Sequence, residues 1–147
     1  MSGSGKIRIP PITMAPPTEA KTYLVAAYEL FKGAEELLKG SGKTAVACSF
    51  LAAQATECAL KAHLLQAGFE KFKNKALRHN LETLWVEAVS CGLSVNPQPP
   101  QWCVILNSLH NKPYYFRYPP AGLNGKSLPD LTSMVFGLKE LIDTIAL

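Results

Sequence analysis

The segment from Thr44 to Leu65 constrains this chain's fold more than any other. It runs Thr-Ala-Val-Ala-Cys-Ser-Phe-Leu-Ala-Ala-Gln-Ala-Thr-Glu-Cys-Ala-Leu-Lys-Ala-His-Leu-Leu, with no charge until Glu57. A helix that is apolar or small around most of its circumference has no face to give to water, so it belongs in the middle of a helical bundle. Its alanines let neighbours approach closely. Glu57 and Lys61 interrupt the pattern at a spacing of i,i+4 with the acid first, the favourable order for an ion pair on one helix. Inside a bundle such groups need partners or a chemical role.

The flanking segments supply the neighbours. Leu24, Ala27, Phe31, Ala34 and Leu38 recur at three and four, predicting a first helix from about Thr18 to Lys39 that Gly40-Ser41-Gly42 ends. So short a turn implies an antiparallel second helix, from about Lys43 to Ala67, stopped by Gly68. Asn80 is a good N-cap for a third helix with Leu81, Leu84, Trp85 and Ala88 inward, ending at Cys91-Gly92. A proline-rich loop follows. Pro100 then suits the first turn of a fourth helix, Gln101 to His110, with Trp102, Ile105, Leu106 and Leu109 on its apolar face. Residues 111–129 are irregular and carry Tyr114, Tyr115, Phe116 and Tyr118. Ser127 with Asp130 resembles a capping box for a last helix striped by Leu131, Met134, Val135, Leu138, Leu141, Ile142 and Ile145. No internal repeat and no alternating strand pattern occurs. The expected fold is all-α: an up-and-down antiparallel helical bundle of four long helices plus one short one. Residues 1–17, rich in Gly, Ser and Pro, are expected to be an arm, and 18–147 a single domain.

Composition narrows the class. With 48% hydrophobic and 18% charged residues, the chain is not of the disordered type. At 147 residues it is long enough to bury a substantial core. A net charge of +4 permits an anionic partner, but Lys and Arg are spread along the chain instead of forming a stripe. The densest run, Lys71 to Arg78, reads as a solvated connection. Cys48, Cys58, Cys91 and Cys103 form no C-x-x-C pair, which argues against a zinc site of that pattern. Cys48 and Cys58 lie ~15 Å apart on one helix, too far for a disulfide. All four fit reduced, buried thiols, as in a cytoplasmic protein. No signal peptide is visible, and the most apolar window carries Glu57, Lys61 and His63, which are costly in lipid. Gly40-Ser-Gly-Lys43-Thr44 lacks the preceding strand and glycine spacing of a phosphate loop.

Three motifs carry a family likeness. Ala52-Ala-Gln-Ala-Thr-Glu57-Cys-Ala-Leu-Lys61-Ala-His-Leu-Leu-Gln-Ala-Gly68 resembles the central helix of HEPN domains (higher eukaryotes and prokaryotes nucleotide-binding). His79-Asn80-Leu81-Glu-Thr-Leu84 is similar to their histidine-led third helix. Phe116-Arg117-Tyr118-Pro119 is similar to the Arg-Tyr-Pro after their fourth helix. The resemblance implies a HEPN-like bundle, often a homodimer, that commonly accompanies a small nucleotidyltransferase as part of one protein or as a partner. Some members are metal-independent ribonucleases, often toxins, and others are non-catalytic binding modules. The ribonuclease members place His four to six residues after Arg. Here no His follows Arg8, Arg78 or Arg117 at that spacing, and His110 precedes Arg117.

The expected role is therefore a non-catalytic module that binds a nucleotide, RNA or a nucleotidyltransferase-type partner, with no cofactor and no metal. The candidate ligand-binding residues are Glu57, Lys61, Arg78, His79, Tyr114, Arg117 and Tyr118. Arg117 would face a phosphate while a tyrosine stacks a base. Two other readings stand beside it. One is a divergent ribonuclease in which His110 is the base at the ribose 2′-OH and Arg117 the cation on the phosphate. The other is a structural dimerisation subunit. Each residue also has a plainer role. Glu57 and Lys61 pair with each other or with Arg117 to hold helices in register. His63 is packed or exposed, and His79 serves the start of the third helix. Tyr118 anchors the late loop.

Overall fold

The structure, a computed structural model, describes residues 18–40, 42–69, 77–123 and 127–147. The expected arm and residues 70–76 of the basic connection lie outside them. Five helices follow in chain order: α1 (Glu19–Leu38), α2 (Ala45–Gln66), α3 (Leu81–Ser90), α4 (Gln101–His110) and α5 (Leu131–Thr144). No strand occurs among the described residues. The bundle differs from the expected proportions in one respect, since α3 and α4 have 10 residues each. The prolines at 97, 99 and 100 keep the α3–α4 connection out of the helical region, and neither helix extends into it.

α2 is the axis of the fold. It packs against α1, α3, α4 and α5. Its buried set runs round the cylinder, from Cys48 and Ser49 through Ala52, Ala53, Ala55, Thr56 and Ala59 to Leu64. The small side chains let α1 lie close along its length. Ala27 and Ala34 of α1 are fully buried, and Cys48 Sγ donates to the Ala34 carbonyl at 3.3 Å. α5 packs against both α1 and α2 and adds Met134, Leu138 and Leu141 to the core.

Helix ends are set by local chemistry. After α2 the Phe69 N–H bonds the Leu64 carbonyl and the Gly68 N–H that of Leu65, closing a Schellman turn. The same pattern ends α3, with Leu93 on Ala88 and Gly92 on Val89. Gly68 and Gly92 both take positive φ, which the turn requires and a side chain would resist. Thr18, Asn80 and Asp130 cap α1, α3 and α5 by accepting from Lys21, Thr83 and Ser133. Asp130 is thus the N-cap itself and not the third residue of a box opened by Ser127. Pro100 stands at the N-cap of α4, one place earlier than a first-turn proline.

Candidate functional site

The site is built around one buried acid. The Glu57 side chain is 9% exposed, near the C-terminal half of α2. Its Oε2 accepts from Lys61 Nζ at 2.7 Å, one helical turn on. Its Oε1 accepts from two imidazoles, His110 Nε2 at 2.7 Å and His79 Nδ1 at 3.0 Å. Burial acts to raise the acid's pKa. The His110 hydrogen bond, the Lys61 charge and hydrogen bond and the His79 hydrogen bond outweigh it and hold the group down at about 2.

Two elements deliver the histidines, and a single asparagine couples them. His79 lies in the turn just before the Asn80 N-cap of α3. Asn107, buried on α4, accepts the Leu81 N–H at 2.7 Å and donates to Asn80 Oδ1 and Glu82 Oε2. The start of α3 is thereby fastened to the last turn of α4. His110 follows Asn107 by three residues, on the same face of that turn, and reaches Glu57.

The loop after α4 forms the rim. Tyr114 has φ of 63°, a left-handed conformation that costs a bulky residue energy and is held by its surroundings. Its carbonyl accepts the N–H groups of Arg117 and Tyr118, both at 2.9 Å. Its ring meets His79 edge-on at 5.8 Å, and the Arg117 guanidinium lies 5.7 Å from the ring centre. Phe116 fixes the loop to α2 by packing on Phe50 at 5.6 Å. Glu57, His79, Tyr114 and Arg117 therefore form one continuous path from core to solvent.

A family model for the HEPN domain matches residues 20–144. The chain belongs to the HEPN domain family. No curated protein and no solved structure matches it.

Within this HEPN bundle the sequence-predicted residues fall into an inner and an outer group. Glu57, Lys61 and His79 share direct hydrogen bonds. Tyr114 touches His79, and Arg117 touches Tyr114. Arg117 stacks on that ring and makes no ion pair with Glu57. Arg78 is exposed at the turn before α3, and Tyr118 is exposed on the rim. Tyr118, at 69% exposure, does not anchor the loop, because Phe116 takes that place. His63 is packed, its Nε2 donating to the Cys91 carbonyl at 3.1 Å. His110 is only 5% exposed and committed to Glu57, so it does not face a ligand as the cleavage reading requires. Asn107 and the Glu57–His110 bond escaped the sequence analysis. The available signal was position, since His110 extends the inward stripe of Trp102, Leu106 and Leu109 at helical spacing. The cysteines stand as free thiols. Burial pushes Cys58 and Cys103 up to about 11 and about 12. No helix among the described residues is long and apolar enough to cross a membrane.

Proposed function

We propose that this HEPN domain is a binding module for nucleotides or single-stranded RNA, with the rim of Arg78, His79, Tyr114, Arg117 and Tyr118 as its recognition surface. The observation that carries this reading is Arg117, an exposed guanidinium held over the Tyr114 ring beside an exposed tyrosine. Such an arrangement offers a phosphate a planar, permanent cation and offers a base a stacking surface. The local charge is consistent with it. No Asp or Glu occurs between Glu87 and Asp130, while Lys112 and Arg117 lie in that stretch. Glu57, the acid beneath the rim, is already matched by Lys61.

Under this reading Glu57, Lys61 and His110 position the rim and do not touch the ligand. The ribonuclease alternative, with His110 as base, draws no support from a ring that is buried and hydrogen-bonded to Glu57. A nucleotidyltransferase partner and a homodimer are expectations drawn from the family.

The test is equilibrium binding of ATP, GTP and a fluorescent oligouridine RNA at low ionic strength. Arg117→Ala is expected to weaken binding by about tenfold or more, equivalent to about 1.4 kcal/mol, with an unchanged melting temperature. RNA binding should also weaken as salt is raised, because phosphate contacts release counterions. If none of the three probes binds saturably, or if Arg117→Ala binds as the parent does, the proposed recognition surface is wrong.

A further inference from the structure

We propose that Glu57, His79 and His110 form a binding site for one divalent cation of the zinc class. The proposal stands apart from the nucleotide reading, and either can fail alone. Among the described residues these three make the one group of His, Cys, Asp or Glu whose donor atoms converge, each offering an atom within 4.8 Å of the others. Three elements contribute: α2, the turn before α3 and the end of α4. The histidines lie 22 and 53 residues from Glu57 along the chain, so no local spacing in the sequence announces the set.

The geometry suits a small tetrahedral ion. Zinc binds imidazole nitrogen and carboxylate oxygen at about 2.0–2.2 Å, which sets neighbouring ligands about 3.3 Å apart. His79 Nδ1 and His110 Nε2 stand 3.0 and 2.7 Å from Glu57 Oε1. Against that spacing His79 Nδ1 must draw back from Oε1 by about 0.3 Å and His110 Nε2 by about 0.6 Å, while the two nitrogens, now within 4.8 Å of each other, must settle about 3.3 Å apart. Two histidines and one glutamate also form a recurrent zinc ligand set that leaves a fourth position open.

The same atoms form a closed hydrogen-bonded network without a metal, so the exchange must balance. In that network two imidazole N–H groups face one carboxylate oxygen. On metal binding each facing nitrogen must present its lone pair. A neutral ring does so by carrying its proton on its other nitrogen, and a cationic ring by releasing one proton to solvent. Lys61 keeps its place throughout, because it holds Oε2 and leaves Oε1 to the metal. A lysine there orients the ligating carboxylate from outside the ligand set. It also offsets the carboxylate's charge, so the bound dication favours an anion over neutral water as its fourth ligand. Hydroxide or a phosphate oxygen would fill that position past His79, the one part-exposed member of the three, whose ring edge meets Tyr114.

The experiment uses the full chain, stripped with EDTA and titrated with Zn²⁺ by calorimetry and with Co²⁺ by visible absorption. One equivalent should bind. The cobalt form should show tetrahedral d–d bands without a thiolate-to-cobalt band, which separates this site from the half-buried Cys58 and Cys91. The double variant His79→Asn/His110→Asn should weaken zinc binding by more than about 100-fold, beyond the loss expected for an outer-shell partner, while Cys58→Ser/Cys91→Ser binds as the parent does. If the double variant does not fold, imidazole ¹⁵N resonances of the unaltered chain replace it, and two histidines should shift together with one equivalent of zinc. No binding, a cobalt spectrum of thiolate character, or equal affinity in a folded double variant overturns the proposal. So do imidazole resonances that stay fixed.

Discussion

Glu57→Gln keeps the shape of the side chain and removes the carboxylate charge that faces the buried Lys61 ammonium. Breaking a buried pair from one side costs about 3–5 kcal/mol, so urea denaturation should show a loss of that size. The acid's pKa is held at about 2 in the folded chain against an ordinary 4.5. Because the folded value is the lower one, its contribution is complete above pH 4.5 and is lost as pH falls toward 2. The stability gap between parent and Glu57→Gln should therefore narrow across that interval. A gap that stays constant from pH 5 to pH 2 would mean the carboxylate is not held in its charged form by the fold. A second residue-scale test lies at Gly137. A Cβ there would sit 2.4 Å from Trp102 Nε1, so the indole occupies the space a side chain would need. Alanine normally gains about 1 kcal/mol over glycine inside a helix. Here overpacking should reverse the sign and destabilise by about 1–3 kcal/mol, with a changed near-ultraviolet tryptophan signal as Trp102 leaves its edge-on contact with Trp85.

At the scale of elements, the short helices α3 and α4 hold the site because they are tied end to end. Asn80 caps α3, and Asn107 of α4 satisfies the buried Leu81 N–H. Asn80→Ala should cost about 1 kcal/mol, the worth of an N-cap. Asn107→Ala should cost about 1–3 kcal/mol, because it orphans a buried donor. The two side chains bond each other at 3.2 Å, so the double variant should lose less than the two single losses together. Strict additivity in a denaturation cycle would show that the two helix ends are held independently. The helix boundaries themselves were legible from capping and breaker residues: Gly68, Asn80, Gly92 and the prolines before α4. The capping register of α5 was not. Ser127 and Asp130 satisfy the spacing of a capping box, yet only the backbone turn decides which of two polar residues takes the cap.

At the scale of the whole molecule, the position of α2 follows from its own residues. A coil of alanine, cysteine, serine and leucine with no polar face is stable only when neighbours cover most of it, and α1, α3, α4 and α5 do so, leaving Val46, Ala47 and Gln66 exposed near its ends. The Glu57–Lys61 pair was likewise readable, since both residues sit on one helix one turn apart. The all-α class and the family followed from patterns of that local kind. What the chain alone left open was every contact that joins distant segments. Arg117 could have reached Glu57, or His110 could have faced outward beside Arg117. Tertiary packing sent His110 in to the acid, set Arg117 on Tyr114 and gave the loop anchor to Phe116 in place of Tyr118. The physical reason is the range of the interactions. Helix periodicity, caps and i,i+4 pairs are set by bonds a few residues long, so they are written in the order of residues. The partner of a buried charge is chosen by which donors the folded helices bring within about 3 Å, and that depends on all of them at once.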